Sequence, residues 1–367
     1  MNAKGDFAHF MLKEIFEQPQ ALQNVLEGRI QGDRVVWENF QVSREQINQW
    51  NKIYIIACGS AYHSGLFGKL LLEKFLGMMV EVEIASEFRY RDSFVDENTL
   101  AIFISQSGET ADTLAALRLA KKKKAFTLAL TNVEKSTISR EADVCLSLKV
   151  GPEIAVASTK AYTAMLVMQY LLSIYFAQVK KTLAAGERAR ILKGLLELPR
   201  KTSLILEEQE PYVQIAKELK SAENLFYLGR LFDYYLAREG ALKLKETAYL
   251  HAEAYASGEI RHGTLAIVTP NTPIVAIAVQ ESVYKPTLAI VKEVVQQGAS
   301  VIGVVNEGDQ EMKKWARHLL TIPRIDNLVS PILAVIPLQL LAYYTAVAMG
   351  CAIDQPRNLT KAVTNDL

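Results

Sequence analysis

Cysteine, histidine and net charge are the scarce quantities in this sequence. Three cysteines in 367 residues, Cys58, Cys145 and Cys351, are widely spaced and odd in number. That excludes a disulfide framework or a cysteine-built zinc cluster and points to a reducing cytoplasm. Lys and Arg number 41 against 40 Asp and Glu, a formal charge of +1. No overall field therefore draws the chain to nucleic acid or to an anionic membrane, and any anion must be held by a local site. The one notable charge run, Lys121 to Lys124, closes a helical pattern and reads as a solvated last turn that complements the helix dipole. No basic-then-apolar leader opens Met1-Asn2-Ala3-Lys4-Gly5-Asp6, so secretion is not expected.

Apolar residues are plentiful, at half of the total, enough for a large core and two domains of ordinary size. Ala161 to Val179 and Ile332 to Ile353 could span a bilayer on length alone. Each carries a central glutamine, Gln169 or Gln339, the second also contains Pro337, and neither has the flanking Lys/Arg asymmetry of a membrane topology. Both are expected to be buried helices.

The chain reads as two similar halves. Lys52-Ile53-Tyr54-Ile55-Ile56-Ala57-Cys58-Gly59 is echoed by Glu223-Asn224-Leu225-Phe226-Tyr227-Leu228-Gly229, each an apolar strand that ends in Gly before a helix. Ala101 to Gln106 is echoed by Val275 to Gln280 and, more loosely, Leu128 to Asn132 by Ile302 to Asn306, both at an offset of 174 residues. Continuous apolar strands alternating with helical patterns imply parallel sheets covered on both faces. The fold class expected is α/β: two doubly wound parallel-sheet subdomains from an internal duplication, plus a C-terminal tail. The boundaries expected are 1–48 for a linker and N-terminal helix, 49–182 for the first subdomain, 183–353 for a helical connector and second subdomain, and 354–367 for the tail.

Ligands of such sheets sit at the carboxyl ends of the strands. There the first half offers Ser105-Gln106-Ser107-Gly108-Glu109-Thr110, three hydroxyls and a flexible glycine between a strand and a helix. Unpaired N–H groups and the positive dipole end of that helix suit a phosphate; a plain capping turn is the bland alternative. The second half has Gln280-Glu281-Ser282-Val283-Tyr284 in the same place. With a carboxylate and no glycine, it is not expected to hold phosphate.

Candidate acid/base groups lie in the second half. Glu239, Lys243 and Glu246 fall at i, i+4 and i+7 on one helical face. Such a trio is either a surface ion-pair ladder or a cluster in which a carboxylate beside a cation moves protons. Two of only five histidines, His251 and His262, are close by. His251-x-Glu253 and His262 do not complete a tetrahedral metal set, so no metal is expected. His262, between Arg261 and Gly263 in a loop, is the better candidate for proton transfer, and His251 reads as structural.

Taken together, Lys13 to Pro19, Glu83 to Tyr90, Ser105 to Thr110, Val156-Ala157-Ser158-Thr159-Lys160-Ala161 and Asp354-Gln355-Pro356-Arg357-Asn358-Leu359 resemble the sugar isomerase (SIS) domain family. Within it they resemble the isomerase part of the glutamine:fructose-6-phosphate aminotransferases, the glucosamine-6-phosphate synthases, over nearly the whole chain. The resemblance implies that fructose 6-phosphate is held by its phosphate on Ser105, Gln106, Ser107 and Thr110, with the sugar near Ser60, Val156 and Ser158. It implies that His262, reaching in from the neighbouring subunit of a homodimer, opens the ring and that Lys361 forms an imine with the ketone. Glu246 would move the proton between C1 and C2, supported by Lys243 and Glu239. The products implied are glucosamine 6-phosphate with ammonia and glucose 6-phosphate without it, with no cofactor. Two departures stand out. Cys58-Gly59-Ser60-Ala61 has alanine where the family commonly has a second hydroxyl, which bears on phosphate affinity. The N-terminal cysteine of a glutaminase domain is also missing, so glutamine hydrolysis is not expected of this chain.

Overall fold

The computed structural model describes residues 4–364. Residues 4–49 hold helices α1 (Phe10–Phe16) and α2 (Gln18–Leu26), an antiparallel hairpin of β1 (Ile30–Gln31) and β2 (Arg34–Val35), and helix α3 (Arg44–Gln49). Then β3 (Lys52–Ala57), α4 (Gly59–Leu76), β4 (Met79–Ile84), α5 (Ala85–Phe88), β5 (Thr99–Ser105), α6 (Ala111–Lys122), β6 (Phe126–Thr131), α7 (Thr137–Glu141) and β7 (Val144–Ser147) alternate, and α8 (Lys160–Lys180) follows. Helices α9 (Ala185–Glu207) and α10 (Glu210–Leu219) lead to the second set: β8 (Asn224–Gly229), α11 (Phe232–Ala248), β9 (His251–Ala256), β10 (Pro273–Ala278), α12 (Glu281–Gln296), β11 (Ser300–Asn306), β12 (His318–Ile322) and α13 (Ser330–Met349).

The two sheets repeat one topology. The first runs β4-β3-β5-β6-β7 and the second β9-β8-β10-β11-β12, and every neighbouring pair in both is parallel. Numbered within each set, both read 2-1-3-4-5, the doubly wound order whose switch point lies between strands 1 and 3. Strands such as β5, buried at every residue, have the continuous apolar character of a sheet covered on both faces.

By backbone contacts the chain divides into two compact units. One comprises Gln20–Glu153, Lys160–Leu196 and the tail from Lys361; the other comprises the segment up to Pro19, Ile154–Thr159 and Glu197–Thr360. In the first unit α8 packs on α4. Gly68 makes that approach possible, because a Cβ there would stand 2.3 Å from the Gln169 side-chain oxygen. In the second unit α13 packs on α11, α10 and α1, and a Cβ on Gly240 would meet the Tyr227 ring at 2.8 Å. Both long apolar segments are core helices: 89% of the most apolar stretch of α8 and 78% of that of α13 are buried inside the protein. Gln339 is satisfied there, accepting from Gln18 Nε2 at 2.8 Å and donating to the Thr159 carbonyl at 3.2 Å. Gln169, equally buried, has no hydrogen-bond partner for its amide among the described residues.

Candidate active site

In the first unit, β3 and β5 are the neighbours at the switch point, and each ends in a turn into a helix. Ser60 sits half-buried in the first turn of α4, whose first residue, Gly59, has φ 55°. After β5 the turn is folded on its own hydroxyls. Ser105, 3% exposed, places Oγ 2.9 Å from Thr110 Oγ1 and accepts the Gly108 N–H at 3.0 Å, while Ser107 Oγ accepts the Glu109 N–H at 3.2 Å. Gly108 is required twice over: its φ is 65°, and a Cβ would stand 2.0 Å from Ser136 Oγ. Gln106, Ser107 and Thr110 are half-buried at the mouth of this turn. Hydroxyls, backbone N–H groups and the start of α6 together suit an anionic oxygen ligand.

The tail comes to the same place. Lys361 Nζ lies 2.8 Å from Glu153 Oε2, and the Ala111 N–H at the start of α6 donates to the Val363 carbonyl at 3.0 Å. Asn132 ties the turn to the loop that carries Glu153. Its N–H donates to the Gln106 carbonyl at 3.1 Å, its side-chain NH2 donates to the Gly151 carbonyl at 2.7 Å, and its Oδ1 accepts the Val150 N–H at 3.1 Å. Glu153 was not singled out by the sequence. The signal that could have found it is an acidic residue after Gly151-Pro152, shortly ahead of a long apolar helix.

In the second unit the sequence trio lies along α11, and it is not a surface ladder. Lys243 is 1% exposed, with Nζ 3.4 Å from Glu239 Oε1 and 2.6 Å from Glu246 Oε2. Burial alone would lower the lysine pKa. The carboxylates of Glu246 and Glu239 outweigh it and hold Lys243 above its usual range, firmly charged. Glu239 is as buried as its partner, whereas the Glu246 side chain is 21% exposed and is the member a ligand could reach. His262 is exposed and follows a short 3-10 turn, Ser257–Arg261, beyond β9. His251 stands at the opposite, amino end of β9 with Nδ1 2.8 Å from Asn224 Oδ1, a structural contact. Among the described residues no group of three or more His, Cys, Asp or Glu is placed to hold a metal ion.

Val156 and Ser158 belong to this second unit. The Val156 N–H donates to the Asp354 carbonyl at 3.0 Å, and the carboxylate of Asp354 caps α1 by accepting the Phe10 and Met11 N–H groups, each at 2.9 Å. The Ser158 hydroxyl is buried with no hydrogen-bond partner among the described residues, an unsatisfied group of the kind that a ligand hydroxyl can complete. Asp233, also unforeseen, is wholly buried in the first turn of α11, with Oδ2 accepting the Val279 N–H at 3.2 Å. Burial pushes its pKa up to about 7.

Comparison with known proteins adds three findings. The SIS domain profile matches residues 46–175 and 218–349, one stretch in each half. A curated relative from Clostridium tetani, described as glutamine–fructose-6-phosphate aminotransferase (isomerizing), is 49% identical over 362 residues, and one of the same description from Clostridium acetobutylicum is 48% identical. The alignment covers 98% of this chain and 60% of each relative, so the chain spans about three fifths of their length. Among solved structures, the C-terminal domain of glucosamine-fructose-6-phosphate aminotransferase from Francisella tularensis superposes with a TM-score of 0.90 at 37% identity, covering 96% of this chain and all of that one.

Proposed function

The chain belongs to the SIS domain family, and from that premise we propose that it is a sugar-phosphate isomerase unit that converts fructose 6-phosphate and ammonia to glucosamine 6-phosphate, a step of amino-sugar biosynthesis in the cytoplasm. The observation that carries this reading is the seating of the tail in the first unit, where Lys361 and the hydroxyl-rich turn share one set of ties through Val363, Asn132 and Glu153. In the proposed reaction Ser105, Gln106, Ser107 and Thr110 hold the phosphate, and Ser60, Val156 and Ser158 attend the sugar. Lys361 condenses with the C2 ketone, with loss of water. Ammonia then adds to the resulting iminium and displaces the lysine amine, leaving the iminium of ammonia at C2. That iminium acidifies the C1 hydrogens, and Glu246 moves a proton from C1 to C2 to give the 2-amino aldose.

Lys243, charged and locked between two carboxylates, keeps Glu246 oriented and Glu239 compensated. The exposure of His262 suits a residue that opens the sugar ring in the neighbouring subunit of a homodimer. A glutaminase domain, as part of a longer protein, is the proposed source of ammonia. The first test is an NMR time course of fructose 6-phosphate with and without ammonium chloride. Glucose 6-phosphate without ammonium and glucosamine 6-phosphate with it, both lost in Lys361→Ala, are expected. Tight binding of fructose 6-phosphate with no conversion under either condition would replace the enzyme reading with that of a sugar-phosphate-binding protein.

A further inference from the structure

Building on that reading, we propose that Glu153 is the positioning residue of Lys361: it holds the tail amine at the phosphate-binding turn and carries its proton while the imine forms. Three observations converge on it. The Glu153 side chain is 0% exposed, and a carboxylate taken wholly out of water must be paired with a cation or hydrogen-bonded to be tolerated. Its two oxygens are divided between separate tasks. Oε1 accepts the Ala161 N–H at 3.0 Å in the first turn of α8, fixing the carboxylate to a buried core helix, and Oε2 is left to Lys361 at 2.8 Å. Residues 351–364, finally, contain no helix or strand. The placement of the lysine therefore depends on local ties of this kind, with Val363 on Ala111 as the second.

The chemistry gives the pair a purpose beyond docking. An ammonium cannot attack a ketone. Lys361 first passes a proton to Glu153, and the neutral amine then attacks C2. The amine proton moves to the ketone oxygen to give a carbinolamine, and Glu153 returns its proton to the departing hydroxyl. The sum is one ammonium plus one ketone giving one iminium plus one water, with Glu153 regenerated as carboxylate. A buried, oriented carboxylate 2.8 Å from the amine spares this exchange the reorganisation of solvent.

Glu153→Gln and Glu153→Asp separate this role from a structural one. Gln keeps the shape and an oxygen for Ala161 but loses the charge, whereas Asp keeps the charge on a shorter arm. Two readouts are compared: borohydride-trapped fructose 6-phosphate adduct on Lys361, and acylation of Lys361 in the absence of substrate, both by peptide mass spectrometry. For Glu153→Gln the expected result is about a tenfold or greater fall in trapped adduct and in kcat, with KM within about twofold, and roughly a fivefold rise in acylation as the amine is released. Glu153→Asp is expected to fall between Gln and the unsubstituted protein. A shape-only role predicts the reverse order, with Gln the milder change, and that order overturns the proposal, as does unchanged acylation in both variants. If Glu153→Gln does not fold, acylation in Glu153→Asp decides, with a rise of about twofold or more expected. If the unsubstituted protein traps no adduct, the functional reading fails, and the acylation series still decides whether Glu153 holds Lys361.

Discussion

The two units end their third strand in the same place and do opposite things with it. In the first, β5 and α6 are joined by the five residues Gln106–Thr110; in the second, β10 and α12 are joined by only Val279–Gln280. The longer connection supports a turn with Gly108 at positive φ and hydroxyls folded inward. In the shorter one the backbone N–H of Val279 is taken by the buried carboxyl group of Asp233. Asp233 lies in the first turn of α11, as Ser60 lies in the first turn of α4. One unit thus lines its switch point with hydroxyls, and the other fills it with a carboxyl group of its own. Strand order alone does not make a ligand site. The side chains at the start of the first helix and the length of the third connection decide whether that edge presents a hydroxyl-lined turn or a buried carboxyl group.

The second unit, with its own switch point filled, carries the buried Glu239-Lys243-Glu246 set on α11 to which the proposed reaction assigns the proton transfer. Glu246→Gln is expected to lower turnover of fructose 6-phosphate by about a thousandfold while leaving its dissociation constant within about twofold, read by NMR rates and calorimetry. Equal losses in rate and affinity would mean that Glu246 binds rather than transfers a proton. A smaller effect is expected in the first unit. Gly108→Ala forces a Cβ against Ser136 and a side chain into a left-handed conformation, and should weaken fructose 6-phosphate binding about a hundredfold. A change in the corresponding connection of the second unit, Gln280→Ala, should leave binding within about twofold. If both substitutions weaken binding alike, the two turns do not differ as argued.

Much of this was legible in the sequence. Continuous apolar strands, the 174-residue offset and the glycine after each first strand gave two parallel sheets, because a strand buried on both faces leaves an unmistakable run such as Leu100–Ile104. The i, i+4, i+7 spacing correctly put Glu239, Lys243 and Glu246 on one helical face but could not tell an exposed ladder from a buried one. Burial is set by what packs over α11, chiefly α13 about a hundred residues later. Glu153 and Asp233 escaped for a related reason. A lone carboxylate reads as solvated until the fold removes its water, and only tertiary structure shows that Glu153 faces a lysine 208 positions away. The Lys361 assignment rested on resemblance alone, and the geometry now supplies a physical partner for it.

The smallest expected effect tests the filled switch point directly. Asp233 has a pKa of about 7 in the folded protein, against about 4 for an unfolded aspartate. Below pH 4 both states are neutral at this position and the group costs nothing. As pH rises from about 4 to 7 the unfolded chain releases its proton while the folded one keeps it, so folding stability falls across that window and the penalty is constant above it. Asp233→Asn removes the titration and retains an oxygen for the Val279 N–H, but it sets an amide NH2 where Asp233 Oδ1 has no hydrogen-bond partner among the described residues. That unsatisfied donor offsets part of the gain. The net expectation is a stability gain on the order of 1 kcal/mol at pH 8, shrinking and reversing towards pH 4, measured as the difference in urea midpoint between variant and unsubstituted protein. A difference that stays flat from pH 4 to pH 8 would show that Asp233 is not held protonated by burial. The contrast with the hydroxyl-lined turn of the first unit would then rest on connection length alone.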